Sequence, residues 1–155
     1  MIITVELPAT DEGTLARQRF AALYSEVEQF YAFQMQILDG HDSERWAALF
    51  TEDAVFELPS LAEPVLASAG LARYISAGEE RQRRAGSRLN HWVGRLDVQP
   101  QADGSLRTRC SALVWVTPTG SSSKVLCVCV MEDVLVRTRG KWRAAHRRVT
   151  RDDLG

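Results

Sequence analysis

The second half of the sequence consists of four long strand patterns separated by short turns. Gly104, Gly120 and Gly140 each lie in a short stretch between two patterns, and such stretches form the tight turns of hairpins. Neighbouring strands are therefore expected to pair as an antiparallel meander. Strands this long do not stay flat under the normal twist of a sheet, so we expect the sheet to curl, with a bulge or bend at Gly94. The strand patterns cover residues 88–99, 105–117, 123–137 and 141–150.

The first half of the sequence is mostly helical in pattern. Over residues 14–38 the apolar side chains recur every three or four positions, which predicts an amphipathic helix. Ser25 opens a capping-box pattern, so a break near this residue would divide the helix into two pieces. Asp39-Gly40 is expected to end the helix, because glycine tolerates the left-handed conformation found at helix C-termini.

Three shorter elements are expected between this helix and the long strands. Asp42 or Ser43 caps a second, short helix. Residues 53–58 alternate as a strand that Pro59 ends, and residues 69–84 form a third helix. Three helices followed by a long antiparallel sheet predict an α+β fold, with the helices packed on one face of the sheet.

Length, charge and cysteine content exclude several classes of protein. A chain of 155 residues is expected to form one domain, here with residues 1–12 peripheral to it. The formal net charge of -1 gives no reason to expect nucleic acid or an anionic membrane as a partner. No apolar run approaches the roughly 20 residues of a membrane helix, and the first residues lack the features of a signal peptide. Three cysteines without a Cys-x-x-Cys spacing favour a reducing compartment, so we expect a cytoplasmic protein.

One strand pattern contains a run that is apolar at every position, Val125–Met131. An antiparallel strand with one solvent-exposed face alternates between apolar and polar residues, so both faces of this strand are expected to be covered. Helices can cover one of these faces. We expect a second copy of the chain to cover the other, giving a homodimer or homotrimer through the sheet face.

Four stretches of the sequence, taken in order, resemble the NTF2-like superfamily and in particular its SnoaL-like branch. That branch includes scytalone dehydratase and the small subunits of ring-hydroxylating dioxygenases. The resemblance covers about residues 25–153 and implies a cone, in which a curled sheet wraps against the first helix and leaves one end open. The stretches are Phe30-Tyr31 through Leu38-Asp39-Gly40, Trp46 through Phe56, His91-Trp92-Val93-Gly94, and Gly140 through Val149.

The scytalone dehydratase pattern matches this sequence at two positions, Asp39 and His91. By that resemblance His91 moves protons and Asp39 supports it. The chemistry of the side chains agrees, because an imidazole titrates near neutrality and can take a proton from carbon and deliver one to a leaving hydroxyl. A carboxylate bound to its other nitrogen would fix the tautomer and raise its basicity.

The sequence also departs from the dehydratase pattern. Two tyrosines, which hold a water on the substrate carbonyl in that enzyme, are replaced here by Leu38 and Leu58. The second histidine of the pattern falls near Val116 or Thr117. The resemblance therefore implies a related proton-transfer reaction, and not the scytalone reaction itself.

Four further residues are candidates for substrate contact. Tyr31 could donate to a substrate oxygen from the first helix, and Trp92 and Trp115 could offer flat apolar surfaces to a ring. His146 shares strand parity with Ala144, which predicts that it faces the cavity. A place in the core or at an interface stays open as the alternative for each of them.

The remaining polar residues have simpler interpretations. His41 and Asp42 are expected to lie at the surface and to cap the short helix. The cysteines are expected to act as small apolar residues, and no ligand spacing indicates a metal or cofactor. The basic residues between Arg137 and Arg151, with Arg147 among them, are expected to form a solvated or subunit-bridging edge. An anionic, carrier-bound substrate is the alternative.

Two functions are consistent with these features. The first is a cofactor-independent dehydratase, cyclase or isomerase acting on a hydrophobic, ketone-bearing, polyketide-like small molecule, with His91 as the acid–base residue and Asp39 orienting it. Tyr31 or an ordered water would stabilise the enolate oxygen. The second is a non-catalytic role, either as a small-ligand binding protein or as an accessory subunit resembling a dioxygenase small subunit.

Overall fold

The computed structural model describes residues 2–4 and 11–154. The predicted peripheral segment, residues 1–12, lies mostly outside the described residues, and Ile2–Thr4 form no regular element. The helices are α1 (Glu12–Asp39), α2 (Ser43–Ala47) and α3 (Ala67–Ala85). The strands are β1 (Phe50–Glu57), β2 (Val65–Leu66), β3 (Ser87–Pro100), β4 (Leu106–Pro118), β5 (Lys124–Thr138) and β6 (Lys141–Arg151). A 3-10 turn, Asp152–Leu154, follows β6.

Helix α1 is one continuous helix, so the predicted break near Ser25 is wrong. Asp11 caps its start by accepting a hydrogen bond from the Thr14 backbone nitrogen at 2.6 Å. Ser25 is exposed beside the face that α1 buries, and the regular spacing of that buried face holds the helix through the capping-box pattern. At the other end, α1 stops at Asp39 as predicted. The left-handed residue, however, is His41, with a φ of 59°, and not Gly40, whose φ is -78°.

The six strands form one sheet in the order β2-β1-β6-β5-β4-β3. Strands β3 to β6 pair with their sequence neighbours in antiparallel fashion, which confirms the predicted meander. The prediction of a wholly antiparallel sheet is wrong, because β1 pairs with β6 in parallel. Turn residues reveal pairing between neighbours along the chain, and β1 and β6 are separated in sequence by four other strands and α3.

The description of the fold as three N-terminal helices is matched only in part. Helix α2 is little more than one turn, and α3 follows β1 and β2, in the order predicted for residues 53–58 and 69–84. Helix α1 packs on β3, and α3 packs on β1. The two long helices therefore cover opposite ends of the same concave sheet face. None of the helices in the described part of the chain is long and apolar enough to cross a membrane.

The bend predicted at Gly94 is present. The pairing of β3 with β4 shifts register between Gly94 and Asp97, and Arg95 adopts a left-handed φ of 54° within the shift. The indole of Trp92 lies against Gly94, so a Cβ at this position would come within 2.6 Å of the ring. The irregularity lies beside the first half of α1, where the Tyr24 hydroxyl donates to the Leu96 carbonyl at 3.1 Å.

The two faces of the sheet differ sharply in burial. On β4 the inward residues from Leu106 to Val114 alternate with more exposed ones, and the inward set packs on α1. On the outer face of this chain, Val125 is 63% exposed and Trp92 is 58% exposed. A single copy of the chain therefore leaves an apolar outer face uncovered.

Candidate active site

A cavity of about 270 Å³ lies between the concave face of the sheet and helices α1 and α3. Its wall is mostly apolar, with side chains such as Met35, Phe56 and Val114 from three different elements. Polar groups interrupt this wall at a few positions only. The polar or charged residues that line the cavity are Asp39, His41, Glu79, Arg81, Gln82, His91 and Arg147.

Asp39 and His91 meet in the wall of this cavity. The His91 ring Nδ1 lies 2.7 Å from Asp39 Oδ1, and the His91 backbone nitrogen donates to Asp39 Oδ2 at 2.9 Å. Asp39 is the last residue of α1, and His91 is paired with the inward residue Val114 on β4. The contact that the sequence led us to expect is therefore present, with both carboxylate oxygens directed at one histidine.

This contact determines which ring nitrogen of His91 is free. A carboxylate only accepts hydrogen bonds, so Nδ1 donates to Asp39 and carries the proton. Nε2 of the neutral ring is then left with an available lone pair. The side chains of His91 and Asp39 are 21% and 18% exposed, and the pair also lines a groove between α1 and β3. The pair therefore lies between the cavity and this groove.

The four other residues predicted to contact substrate do not line this cavity. Tyr31 is buried, and its hydroxyl contacts Thr108 Oγ1 at 2.6 Å and donates to Asp133 Oδ2 at 2.5 Å. Trp92 and Trp115 lie on the outer face of the sheet, where Trp92 is opposite Leu113 and Trp115 is opposite Asn90. Tyr31 is thus an internal hydrogen-bonding residue, and the two tryptophans lie on the outer face. Tyr31 and Trp92 also line the groove between α1 and β3 that Asp39 and His91 line.

His146 also lies outside the cavity, for a reason that strand parity cannot reveal. Ala144 is paired with Leu135, but His146 is paired with Val134, so one extra residue is inserted into β6 between them. This bulge reverses the side to which the following residues point. His146 therefore faces outward, where its Nε2 lies 2.7 Å from Glu57 Oε2. Arg147 faces inward as a result.

Arg147 is the functional candidate that the sequence analysis placed wrongly. It is 1% exposed, instead of lying at a solvated edge. Its Nε and Nη2 donate to the two oxygens of Asp133 at 2.9 and 2.7 Å, and Nη2 also donates to Gln34 Oε1 at 2.6 Å. Burial works to lower the pKa of the Arg147 guanidinium, but the Asp133 carboxylate raises that pKa above its usual range. Arg147 is therefore a permanent cation in the cavity wall.

The same network keeps Tyr31 protonated. Burial, and then the negative charge of Asp133, raise the pKa of the Tyr31 hydroxyl well above its usual value. The hydroxyl consequently acts as a donor to Asp133 and does not ionise near neutral pH. Thr108, Tyr31, Asp133, Arg147 and Gln34 form one buried chain of polar contacts behind the cavity.

Two more cavity residues were not identified from sequence as site residues. Glu79 on α3 is 7% exposed, and its Oε1 has no hydrogen-bond partner among the described residues. Nε2 of His41 lies 3.1 Å from Oε1 of Gln82. An amide oxygen only accepts hydrogen bonds, so Nε2 is the donor. In the sequence Glu79 belongs to a polar helix end and His41 to a turn. Only the position of α3 over the sheet places them at the cavity.

Neither cysteine that lies in the core is a candidate nucleophile. Burial raises the pKa of both the Cys110 and the Cys129 thiol from 9.0 to about 12. Cys129 lines the cavity as a neutral thiol. Within residues 2–4 and 11–154, no group of three His, Cys, Asp or Glu side chains is arranged to hold a metal ion.

Comparisons with known proteins agree with this architecture. Aln2 from a Streptomyces species is 34% identical, with a TM-score of 0.79 over 86% of this chain and 93% of that one. A protein from Catenulispora acidiphila, solved in complex with S-DNPA, is 31% identical, with a TM-score of 0.75 over 86% of this chain and 96% of its own. No curated protein matches the chain in sequence.

Two further findings identify the fold and the family. An NTF2-like protein from Novosphingobium aromaticivorans shares the fold at 23% identity, with a TM-score of 0.76 over 92% of this chain and 91% of that one. The family model described as the SnoaL-like domain matches residues 19–148, which include both members of the His91–Asp39 pair. The resemblance inferred from the sequence is thus confirmed, and the chain belongs to the SnoaL-like domain family.

Proposed function

We propose that this protein is a cofactor-independent dehydratase, cyclase or isomerase that transfers protons on a hydrophobic, ketone-bearing, polyketide-like small molecule. The observation that carries the proposal is the His91–Asp39 pair in the wall of a mostly apolar cavity. His91 is the acid–base residue, and Asp39 orients it.

The geometry suits proton abstraction beside a carbonyl group. Nε2 of His91 takes a proton from the carbon next to the substrate carbonyl, and the ring becomes an imidazolium. Asp39, which binds Nδ1 at 2.7 Å, stabilises that positive charge. The imidazolium then returns the proton to a leaving hydroxyl in a dehydration, or to a different atom in an isomerisation. General acid–base catalysis of this kind contributes about 10²- to 10⁴-fold in rate, and positioning in the cavity supplies more.

The composition of the cavity supports an apolar substrate. Its wall combines aliphatic, thioether and aromatic side chains with isolated polar groups, which is typical of small-molecule sites. A volume of about 270 Å³ lies near the lower end of the range for small-molecule sites, roughly 300–1,000 Å³, which favours a small ligand. The relative from Catenulispora acidiphila, solved with S-DNPA, supports a ligand-binding role for this chain as well.

The proposal is tested by exchange of α-protons on 1-tetralone in deuterated buffer, followed by NMR. We expect the protein to accelerate exchange and the His91→Gln variant to lose about 10²-fold or more of that acceleration. His146→Gln is a matched control, because His146 also pairs with a carboxylate, at 2.7 Å, but lies on the outer face. Full activity of His91→Gln would contradict the proposal.

The same experiment distinguishes the proposed enzyme from a protein without catalytic activity. A ligand-binding protein, or an accessory subunit, would bind aryl ketones without accelerating the exchange of their protons. Copurification with a much larger partner, combined with no activity of the isolated chain, would favour the accessory role.

A further inference from the structure

We infer that Arg147 forms a second, separate recognition point in the cavity, which binds a carbonyl or carboxylate oxygen of the substrate. The inference deepens the proposed function and rests on its premise that the cavity holds the substrate. Arg147 would be a specificity-determining residue that holds one end of the ligand, while His91 acts on another part of it.

The hydrogen bonds of Arg147 leave one of its nitrogens unused. A guanidinium has five N–H donors. Nε gives one to Asp133, and Nη2 gives one to Asp133 and one to Gln34. No hydrogen bond joins Nη1 to any of the described residues, so its two donors have no partner within that part of the chain.

The cavity is the place from which a partner for Nη1 can come. Arg147 is 1% exposed, and it is one of the residues that line the cavity. Nη1 is not among the buried polar atoms that lack a partner, so water in the cavity can bind it when no ligand is present. A ligand oxygen there would satisfy a donor that the fold leaves free.

The rest of the network holds the guanidinium rigidly in place. Asp133 Oδ2 accepts from Tyr31 at 2.5 Å as well as from Arg147, and Tyr31 contacts Thr108. Every group that orients Arg147 is buried, since Gln34, Thr108 and Asp133 are at most 4% exposed. A donor fixed in this way binds an oxygen without first losing side-chain freedom.

The position of Arg147 indicates what the ligand looks like. Arg147 is on β6 and His91 is on β3, with β4 and β5 between them in the sheet. The cavity wall on those two strands is apolar, with Ala112 and Val114 on β4 and Met131 on β5. A matching ligand therefore has an apolar body, an acceptor oxygen at the Arg147 end, and its reactive carbon at the His91 end. Two N–H donors suit an oxygen that carries no proton, as in a carbonyl or carboxylate group.

Binding of paired probes tests this inference without depending on the chemistry at His91. The probes are 1-tetralone against tetralin, and 2-naphthoate against naphthalene, measured by calorimetry or by competition with a fluorescent ligand. We expect the oxygen-bearing member of at least one pair to bind about tenfold or more tightly than its hydrocarbon, as for a hydrogen bond to a charged donor. Preference in the first pair indicates a carbonyl, and preference in the second indicates a carboxylate.

The variants must avoid leaving a buried charge unpaired. Replacement of Arg147 alone would leave the buried Asp133 carboxylate without its cationic partner and would destabilise the folded protein. The double variant Asp133→Leu/Arg147→Met replaces the ion pair with apolar side chains of similar size, and this kind of exchange is commonly tolerated. We expect it to bind the hydrocarbons and to lose the preference for oxygen. Arg148→Met, at an exposed neighbouring position, is the matched control and should keep the preference.

Several outcomes would overturn the inference. Equal affinity of the unmodified protein for both members of each pair, failure to bind any of the four probes, or an unchanged preference in the folded double variant would each do so. His91→Gln is expected to keep the preference for oxygen. A loss of proton exchange with a retained preference would separate failure of the proposed reaction from failure of the Arg147 site.

Discussion

His91 binds Asp39 twice, through its backbone nitrogen and through its ring Nδ1, and the two bonds use different carboxylate oxygens. The backbone bond fixes the end of α1 against β3, and the ring bond fixes the orientation of the imidazole. The Asp39 carboxylate therefore both holds α1 against β3 and orients the ring that is proposed to transfer protons.

Replacement of Asp39 should separate these two roles. Asp39→Asn leaves one oxygen to accept a bond and places an amide NH2 where the other oxygen was. We expect proton exchange to fall about 10- to 100-fold and the free energy of unfolding to drop by about 1–3 kcal/mol, as for the loss of a hydrogen bond to a charged group. Exchange kinetics and urea unfolding measure the two effects. Asp53→Asn, at an exposed position, should change neither quantity.

Tyr31 is expected to matter for stability and not for ligand binding. Tyr31→Phe removes the buried hydroxyl that bonds Asp133 and Thr108, so the free energy of unfolding should fall by about 1–3 kcal/mol. Affinity for tetralin, which has no oxygen for Arg147 to bind, should stay unchanged, because Tyr31 does not line the cavity. Tyr24→Phe, which loses one half-buried bond to the Leu96 carbonyl, should cost less. Weaker binding of tetralin by Tyr31→Phe would restore Tyr31 as a substrate contact.

Stability should decline at alkaline pH. Below pH 9 the thiols of Cys110 and Cys129 are protonated in both the folded and the unfolded chain. Above pH 9 the unfolded chain ionises first, because burial holds the pKa of both folded thiols at about 12. The folded state binds more protons in this window, so the free energy of unfolding falls between about pH 9 and pH 12.

The raised pKa of Tyr31 acts in the same direction at the upper end of this range. Urea unfolding at a series of pH values measures the decline, and Cys110→Ala should make it shallower. A free energy of unfolding that is constant from pH 8 to pH 11.5 would contradict this assignment.

The apolar outer face of the sheet is proposed to bind a second copy of the chain, as a homodimer or homotrimer. Trp92, Val125 and Val128 are exposed there, with Leu113 and Trp115 beside them. Val128→Lys places a charge within this patch and should shift the protein to a monomer in light scattering after gel filtration. Glu63→Lys, on the exposed loop before β2, should leave the mass unchanged. A monomeric unmodified protein would refute the proposal.

The bend at Gly94 offers a test of local packing. A methyl group at this position would meet the exposed Trp92 ring at 2.6 Å, so Gly94→Ala should cost about 0.5–1.5 kcal/mol of unfolding free energy, as for a side chain forced from its preferred rotamer. In a Trp92→Ala background the ring is gone, and the same substitution should cost much less. Equal costs in both backgrounds would show that the bend itself, and not the ring, requires glycine.

The parts of the fold that depend on local pattern were predictable from the sequence. Apolar spacing gives α1 and α3, and glycine-containing turns give the β3–β6 meander with its bend at Gly94. Pairing of β1 with β6 was not predictable in this way, because no turn joins them. The SnoaL-like resemblance supplied the contact between Asp39 and His91, which the spacing of these residues does not reveal.

The polar groups of the cavity were harder to predict. For His146 and Arg147, the reason is one inserted residue, Ala145. The bulge between Ala144 and His146 exchanges the directions of His146 and Arg147, and no glycine or proline marks it in the sequence. Strand parity therefore placed His146 in the cavity, and the basic run around Arg147 led us to expect this arginine at a solvated or subunit-bridging edge. Glu79 was missed for another reason, since its burial depends on how α3 lies over the sheet.

The parallel pairing of β1 with β6 also has a consequence for how the protein is made. Val55 is paired with His146 across these strands, so the sheet joins β1 to a strand that is synthesised only after β2, α3, β3, β4 and β5. Contacts between residues so distant in sequence form slowly, because a long loop must close first. Strands β3 to β5 can pair as soon as they are synthesised, but β6 brings both the partner of β1 and the Arg147 guanidinium. The cavity acquires its closed wall and its buried cation in the same late step.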